Sequence, residues 1–365
     1  MSRSEQAFFL LLRSGLWESD VADLSLFPLT PEEWTEVLRM SEQQTVQGLL
    51  YRGFQHLPEH LFPPQQQVWR WVAIAARLEK EHRLFCTQTA ATYRFLKAAG
   101  ASPILQKGLA VAQYYEQPAL RVNGDIDWYV GKDSKLQAIS QQLTAQGYTP
   151  EQRSDRSVCF YYEDTEVELH PQLIDLDKPS SRKAVQRMLA ASDQTLTLSL
   201  SDVSGEMIRV PSPMPTLVML NAHLMKHAFT VGVGLRQVCD MARAYHRLYG
   251  LYDANALAEV YHQTGLWRWS ELLHLFLVRY LGMPAQELPP PSPARQHDVR
   301  RLLRQMLHDG NFGHHALQWQ RAHSEGRNRR HTIWQIVRRM PFSLRYAPIE
   351  MLHKILALSG ITYSD

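Results

Sequence analysis

Apolar residues recur every three or four positions along roughly the first ninety residues, which is the spacing of one face of an α-helix. The longest such pattern runs from Val68 to Leu96 and stops at Ala99-Gly100, where glycine can close the last helical turn. An earlier helix start is marked by Thr30-Pro31-Glu32-Glu33, because threonine caps helices, proline fits the first turn and acids suit its positive end. The pattern predicts an N-terminal helical region over residues 1–98.

Between residues 99 and 213 the pattern changes to short apolar runs that are rich in Val, Tyr and Phe and separated by turns. Such runs are typical of β-strands. The predicted strands are Ser102–Leu105, Asp125–Val130, Ser157–Glu163 and Glu166–Leu173, with a hairpin from Thr195–Leu200 and Met207–Val210 and helices over Leu109–Tyr115 and Lys135–Gln146. This mixture predicts an α+β fold in which a small core with a mixed sheet is flanked by helical regions.

The helical spacing returns at Pro215. Helices are predicted from Pro215 through His227, over Leu235–Tyr249 and over Leu257–Leu281, which gives a helical domain over residues 214–287. The proline-rich stretch 288–293 is predicted to be a linker. A basic segment follows at 294–365 and is again helical in pattern, with 12 Lys or Arg against 4 Asp or Glu between Arg295 and Lys354. It can meet phosphate, an anionic membrane surface or an acidic partner, or it can be the solvated face of helices.

The composition is that of a globular protein, with 45% hydrophobic and 21% charged residues and a net charge of +3. No stretch reaches the roughly 18 uninterrupted apolar residues of a membrane helix, and the first residues lack a signal-peptide cleavage site. Three scattered cysteines, Cys86, Cys159 and Cys239, form no disulfide framework and no CxxC metal pair. We therefore expect a cytoplasmic protein.

The clearest chemical signal is Gly124-Asp125-Ile126-Asp127 at the start of a predicted strand. Two aspartates at positions i and i+2 of a strand point to the same face, where their carboxylates repel one another unless a cation lies between them. Glu168 and His170 share one face of a later strand, so Glu168 is a natural third ligand. Three carboxylates on neighbouring strands can hold paired Mg²⁺ ions for phosphoryl transfer. Alternating acidic residues can also simply lie on the solvent-exposed face of a strand.

The order of these features resembles the polymerase-beta-like nucleotidyltransferase superfamily, and more closely the uncharacterised nucleotidyltransferase family of bacteria. The matching residues are Leu105–Ala112, Tyr114-Tyr115, Pro118, Arg121, Asp125-Ile126-Asp127, Gly147-Tyr148 and Glu168-Leu169-His170, followed by Asn221-Ala222-His223, His227 and Leu235–Asp240. The wider superfamily has Gly-Ser where Lys107-Gly108 stands here. Lysine offers phosphate a positive charge, and glycine lets backbone N–H groups approach it. Lys107 can equally be an exposed turn residue.

The resemblance implies an enzyme that moves a nucleoside monophosphate from an NTP such as ATP to an acceptor hydroxyl, releasing pyrophosphate by a two-metal mechanism. It implies Mg²⁺ or Mn²⁺ on Asp125, Asp127 and Glu168, which are also the catalytic residues, Glu168 being able to take the acceptor proton. The residues expected to bind the nucleotide are Lys107, Gly108, Arg121 and His170.

Other functions stay open. The chain can be a catalytically idle nucleotidyltransferase fold that serves as a binding or antitoxin-like module, although such a module is expected to lose one of the carboxylates. The acceptor can be a small molecule, a peptide or protein, or RNA. Structural roles are predicted for three groups: Arg121 can form a salt bridge, His223 and His227 can pack in the core, and Arg236 with Asp240 can brace the helical domain.

Overall fold

A computed structural model describes residues 1–153, 155–191, 195–199, 205–230, 232–290, 296–310 and 339–348. Its helices are α1 (Arg3–Trp17), α2 (Pro31–Gln43), α3 (Gln47–Gln55), α4 (Gln65–Ala98), α5 (Leu109–Ala112), α6 (Asp133–Ala145), α7 (Pro179–Ala191), α8 (Pro213–Phe229), α9 (Leu235–Leu248), α10 (Ala254–Thr264), α11 (Trp267–Leu281) and α12 (Gln296–Asp309). Its strands are β1 (Ile104–Leu105), β2 (Ile126–Tyr129), β3 (Glu151–Gln152), β4 (Val158–Tyr162), β5 (Thr165–His170), β6 (Thr195–Ser199) and β7 (Met207–Pro211).

The first five strands form one mixed sheet in the order β1-β2-β5-β4-β3, which confirms the predicted α+β class. Strand β2 runs parallel to β5, and every other neighbouring pair is antiparallel. The register of β2 and β5 sets Asp127 opposite Glu168. On the other face of β2, Trp128 is fully buried and stacks on Tyr93 of α4, as its alternation away from the aspartates predicts. The sheet therefore turns one face to its core and presents its acids on the other.

Helices from the N-terminal region and from the helical domain share one large hydrophobic core. Phe8 and Leu11 of α1 belong to it together with Trp269 and Phe276 of α11. Arg13 of α1 donates hydrogen bonds to the carbonyls at the end of α11, which fixes these two helices against each other. The N-terminal region and the helical domain thus bury their apolar faces against one another, beside the sheet.

The basic C-terminal segment contributes to the same core where the structure describes it. Val299, Leu302 and Met306 of α12 are buried in it, and Gln44 donates a hydrogen bond to the carbonyl of Met306. Helix α12 is amphipathic, so its basic face is the solvated side of a packed helix, one of the two expected arrangements.

Two predicted helices differ from the structure in division or length and not only by a few residues at an end. The pattern over Leu257–Leu281 is divided into α10 and α11, because Gly265 adopts a left-handed φ of +79° and ends the first of them. The helix predicted over Leu109–Tyr115 ends at Ala112. Helix α7 and the short strand β3 were not predicted. The hairpin β6-β7 is present over the described residues.

No helix in the described ranges combines the length and apolar character needed to cross a bilayer.

Candidate active site

A cavity of about 520 Å³ opens between the acidic face of the sheet and helices α8 and α9. The sheet side contributes Lys107, Asp125, Asp127, Glu168 and His170, and the helices contribute His223, Lys226, His227 and Arg236. The structure therefore brings the predicted site residues to one cavity, together with residues from the helical part of the sequence resemblance. A cavity of this volume is in the range that holds a small-molecule ligand.

Asp127 is the most enclosed carboxylate of the cavity, with only 1% of its side chain exposed. Its Oδ1 lies 2.9 Å from Lys107 Nζ and 2.9 Å from His170 Nε2. Its Oδ2 is buried and has no hydrogen-bond partner among the described residues. One oxygen is thus shared by two basic groups, while the other is buried without a partner among the described residues.

The two aspartates of the motif have opposite electrostatic environments. Burial by itself raises the pKa of Asp127, but Lys107 and His170 overcome it and hold that pKa well below its usual range. The pKa of Asp125 is raised, first by the charge of Asp127 and then by burial. The charged form of Asp127 is thus stabilised by its neighbours, whereas the charged form of Asp125 is destabilised.

Lys107 follows strand β1 and precedes Gly108 and the four-residue helix α5. Its side chain is 19% exposed, so it is not the exposed turn lysine that the sequence also allowed. Burial lowers its pKa, and the carboxylates of Asp127, Asp125 and Glu168 raise it above the ordinary value. Gly108 has φ +59° and ψ −116°, a conformation that only glycine adopts readily, and it turns the chain so that Lys107 faces the acids.

Glu168 and His170 lie on the same face of β5, as their alternation predicts. His170 Nε2 is 3.4 Å from Glu168 Oε2 as well as 2.9 Å from Asp127 Oδ1. Burial lowers the pKa of His170, but its hydrogen bonds to the two carboxylates raise it to about 9. Asp127, Glu168 and His170 each offer one possible metal-ligand atom, and those three atoms lie within 4.8 Å of one another. Asp125 is outside this group, so its share in metal binding stays a prediction.

Arg121 lines the cavity, but its guanidinium is bonded to the carboxylate of Asp240 in the helical domain. Its Nε and Nη2 donate to the two oxygens of Asp240, each at 2.8 Å, and Tyr115 donates to Asp240 Oδ1 at 2.7 Å. Arg236 donates from Nη1 to the carbonyl of Val122 at 3.0 Å. These bonds join α9 to the segment that leads into β2, so Asp240 and Arg236 brace α9 against the core, and a nucleotide contact by Arg121 stays a prediction.

His223 and His227 face the cavity from α8 with their ring centroids 4.2 Å apart. Burial and then the charge of Lys107 hold the pKa of His223 well below its usual value, so its imidazole is neutral. Their rings pack against each other, but both residues are partly exposed at the cavity rather than packed in the core as predicted.

Several charged residues of the cavity were not predicted as site residues. Lys226 of α8 contacts Asp175 and lies 3.9 Å from Asp155, and all three residues line the cavity. Arg153 donates to Glu166 and to Cys159 Sγ. The available signal was helical phase, since Lys226 is three residues after His223 and so lies on the same face of α8.

The model of a family described as uncharacterised nucleotidyltransferase matches residues 30–282, more than half of the 365-residue chain. The match covers the sheet with its acids and both helices that complete the cavity. Searches of curated proteins and of solved structures returned no match to this chain. With Asp125 and Asp127 at the start of β2, Glu168 on β5 and this match, the chain belongs to the uncharacterised nucleotidyltransferase family.

Proposed function

We propose that this protein transfers a nucleoside monophosphate from an NTP to the hydroxyl group of an acceptor, by a two-metal mechanism of the polymerase-beta type. The observation that carries the proposal is the buried carboxylate of Asp127, which lies opposite Glu168 across paired strands and faces a cavity of substrate size. Family membership supports the general class of reaction.

The proposed metal ligands are Asp125, Asp127 and Glu168, with Mg²⁺ or Mn²⁺ as the ion. The donor set fits a hard divalent cation, since it consists of carboxylate oxygens, and the buried Oδ2 of Asp127 is a ligand atom without a protein partner in the described residues. A bound divalent ion supplies the charge that stabilises the phosphoryl oxygens during transfer. The strained Asp125 is relieved by the same charge.

The chain's own groups position the nucleotide. Lys107 places a buried ammonium group beside the carboxylates, where it can hold a phosphate oxygen. Gly108 borders the cavity, where its backbone N–H is proposed to approach a phosphate, and His170 is proposed to contact the triphosphate. Arg121 is bound to Asp240, so we give it a positioning role that fixes α9 at the cavity wall.

In the transfer step the acceptor oxygen forms a bond to the α-phosphorus, and the bond from that phosphorus to the leaving pyrophosphate breaks. Glu168 is proposed to take the proton of the acceptor hydroxyl, since it borders the cavity and is partly accessible. The acceptor is a small molecule, a peptide or protein, or RNA.

Calorimetric titration with nonhydrolysable analogues of each NTP, with and without Mg²⁺, tests the proposal. Wild type is expected to bind an analogue only with metal, and the double variant Asp125→Asn with Asp127→Asn is expected to lose that binding. Asp133→Asn, at an exposed ion pair with Arg156, is the control for the loss of an aspartate charge outside the cavity. Equal nucleotide affinity in wild type and double variant would contradict the proposal and favour the idle binding module.

A further inference from the structure

The group of possible metal ligands in the cavity contains a nitrogen atom. Among the described residues, Asp127, Glu168 and His170 form the group of three whose ligand atoms lie within 4.8 Å of one another. Two of the members are carboxylates, and the third is an imidazole held on a strand rather than on a loop. An imidazole changes which ion a site prefers, because nitrogen ligands suit first-row transition ions, whereas Mg²⁺ prefers oxygen ligands.

The distances within this group are those of neighbouring ligands on one ion. For metal–ligand bonds of about 2.1 Å, adjacent ligand atoms are about 3.0 Å apart in octahedral geometry and about 3.4 Å apart in tetrahedral geometry. His170 Nε2 lies 2.9 Å from Asp127 Oδ1 and 3.4 Å from Glu168 Oε2. The same distances are those of the hydrogen bonds described above, so an ion at this position would replace the proton that His170 Nε2 shares with the two carboxylates.

The backbone holds these side chains in a fixed arrangement. Strands β2 and β5 pair in parallel, with Asp127 opposite Glu168 and Tyr129 opposite His170. Lys107 contacts Oδ1 of Asp127, whereas Oδ2 of this almost fully buried residue has no hydrogen-bond partner among the described residues. Oδ1 lies beside His170 Nε2, and Oδ2 has no hydrogen bond among the described residues to lose, so Asp127 can offer either oxygen to an ion.

We propose that His170 is a metal ligand together with Asp127 and Glu168, and that this site binds Mn²⁺ or a later first-row divalent ion in preference to Mg²⁺. The inference rests on the proposed function for the presence of a metal, and it changes the role of His170 from a phosphate contact to a ligand. It identifies the class of ion that the site selects, which the carboxylates alone do not decide.

The test uses full-length, tag-free protein with MnCl₂, CoCl₂ and MgCl₂ as probes. Calorimetry gives the affinity for each ion, and pulsed EPR of the Mn²⁺-bound protein reports whether a ¹⁴N nucleus is bonded to the ion. His170→Gln puts an amide at the position of the imidazole, so an oxygen ligand can replace the nitrogen. His223→Asn is the matched control, since it removes a histidine from the same cavity but outside the ligand group.

Wild type and His223→Asn are expected to bind Mn²⁺ more tightly than Mg²⁺ and to show directly coupled ¹⁴N. His170→Gln is expected to lose the ¹⁴N signal and about tenfold or more of its Mn²⁺ affinity, with a much smaller change for Mg²⁺. The spectrum of wild type needs no variant, so a folding defect in His170→Gln does not remove the test.

Three results would overturn the inference. Mn²⁺ bound to wild type without directly coupled ¹⁴N would exclude His170 as a ligand and leave the proposed function standing. A ¹⁴N signal that persists in His170→Gln would assign the nitrogen to another residue. If none of the three ions binds, with or without nucleotide, the proposed function fails together with the inference.

Discussion

Replacing Asp127 by asparagine removes the negative charge to which two basic groups are bonded. Lys107 Nζ and His170 Nε2 both lie 2.9 Å from its Oδ1, and Lys107 is largely buried. Breaking a buried ion pair by removing one partner typically costs about 3–5 kcal/mol, and we expect the lower end here because Asp125 and Glu168 also raise the pKa of Lys107. The amide oxygen of asparagine has two lone pairs and can still accept both hydrogen bonds, but it carries no negative charge. We therefore expect Asp127→Asn to destabilise the metal-free protein by about 3 kcal/mol.

Asp125→Asn is expected to act in the opposite direction. Repulsion from Asp127 and burial both raise the pKa of Asp125, so its charged form opposes folding at neutral pH. Removing that charge should leave the metal-free protein as stable as wild type or more stable by about 1 kcal/mol. Two neighbouring substitutions of the same type thus have different predicted signs.

Urea unfolding in the presence of a chelator measures both free energies of unfolding. Asp133→Asn is the control for loss of one aspartate charge at an exposed ion pair, expected to change stability by at most about 1 kcal/mol. If Asp125→Asn and Asp127→Asn lower stability equally, the asymmetry derived from Lys107 and His170 is wrong. If Asp127→Asn is neutral, Lys107 does not depend on it for compensation.

Three further predictions concern other residues. Glu168→Gln should keep nucleotide binding and abolish transfer, because Asp125 and Asp127 still hold the nucleotide metal; near-normal turnover of a known acceptor would remove Glu168 from its catalytic role. Burial lowers the pKa of His274 from 6.5 to about 3. The contribution of this histidine to the free energy of unfolding should therefore be complete above pH 6.5 and should fall as the pH drops toward 3, by up to about 1.4 kcal/mol per pH unit. His274→Gln, which cannot titrate, should flatten that part of the stability profile, and an unchanged slope would contradict the assignment. Leu302→Ala should cost about 2–5 kcal/mol in urea unfolding, because Leu302 of α12 is buried in the main core; a neutral result would mean that α12 is not integral to the fold.

The local sequence determined much of the fold, because the side-chain period of an element fixes which residues share a face. Alternation along β2 placed the two aspartates on the side opposite Trp128, and alternation along β5 placed Glu168 beside His170. The start of α2 followed from Thr30 and Glu33, which form the reciprocal capping hydrogen bonds expected of such a motif. These features depend on neighbours within a few residues, so they can be predicted from the sequence without the tertiary structure.

The break between α10 and α11 was also encoded locally, in the Gly265 that ends α10, but the apolar pattern continues across it. Helical periodicity predicts which side of a helix is apolar, but it does not predict that a single residue adopts a left-handed conformation and ends the helix. The buried position of α12 was harder to infer, since a basic amphipathic helix has the same pattern whether its apolar side packs on its own chain or on a partner.

The unequal character of Asp125 and Asp127 could be decided only by the tertiary structure. In the sequence they are two equivalent acids, and their difference comes from Lys107, which follows β1, and His170, at the end of β5, both brought to one oxygen of Asp127. The second wall of the cavity is equally non-local, because α8 and α9 are about one hundred residues away from the two aspartates that they face. Sequence patterns specify which side of an element is polar, whereas the choice of partner for each charge depends on how separate elements pack.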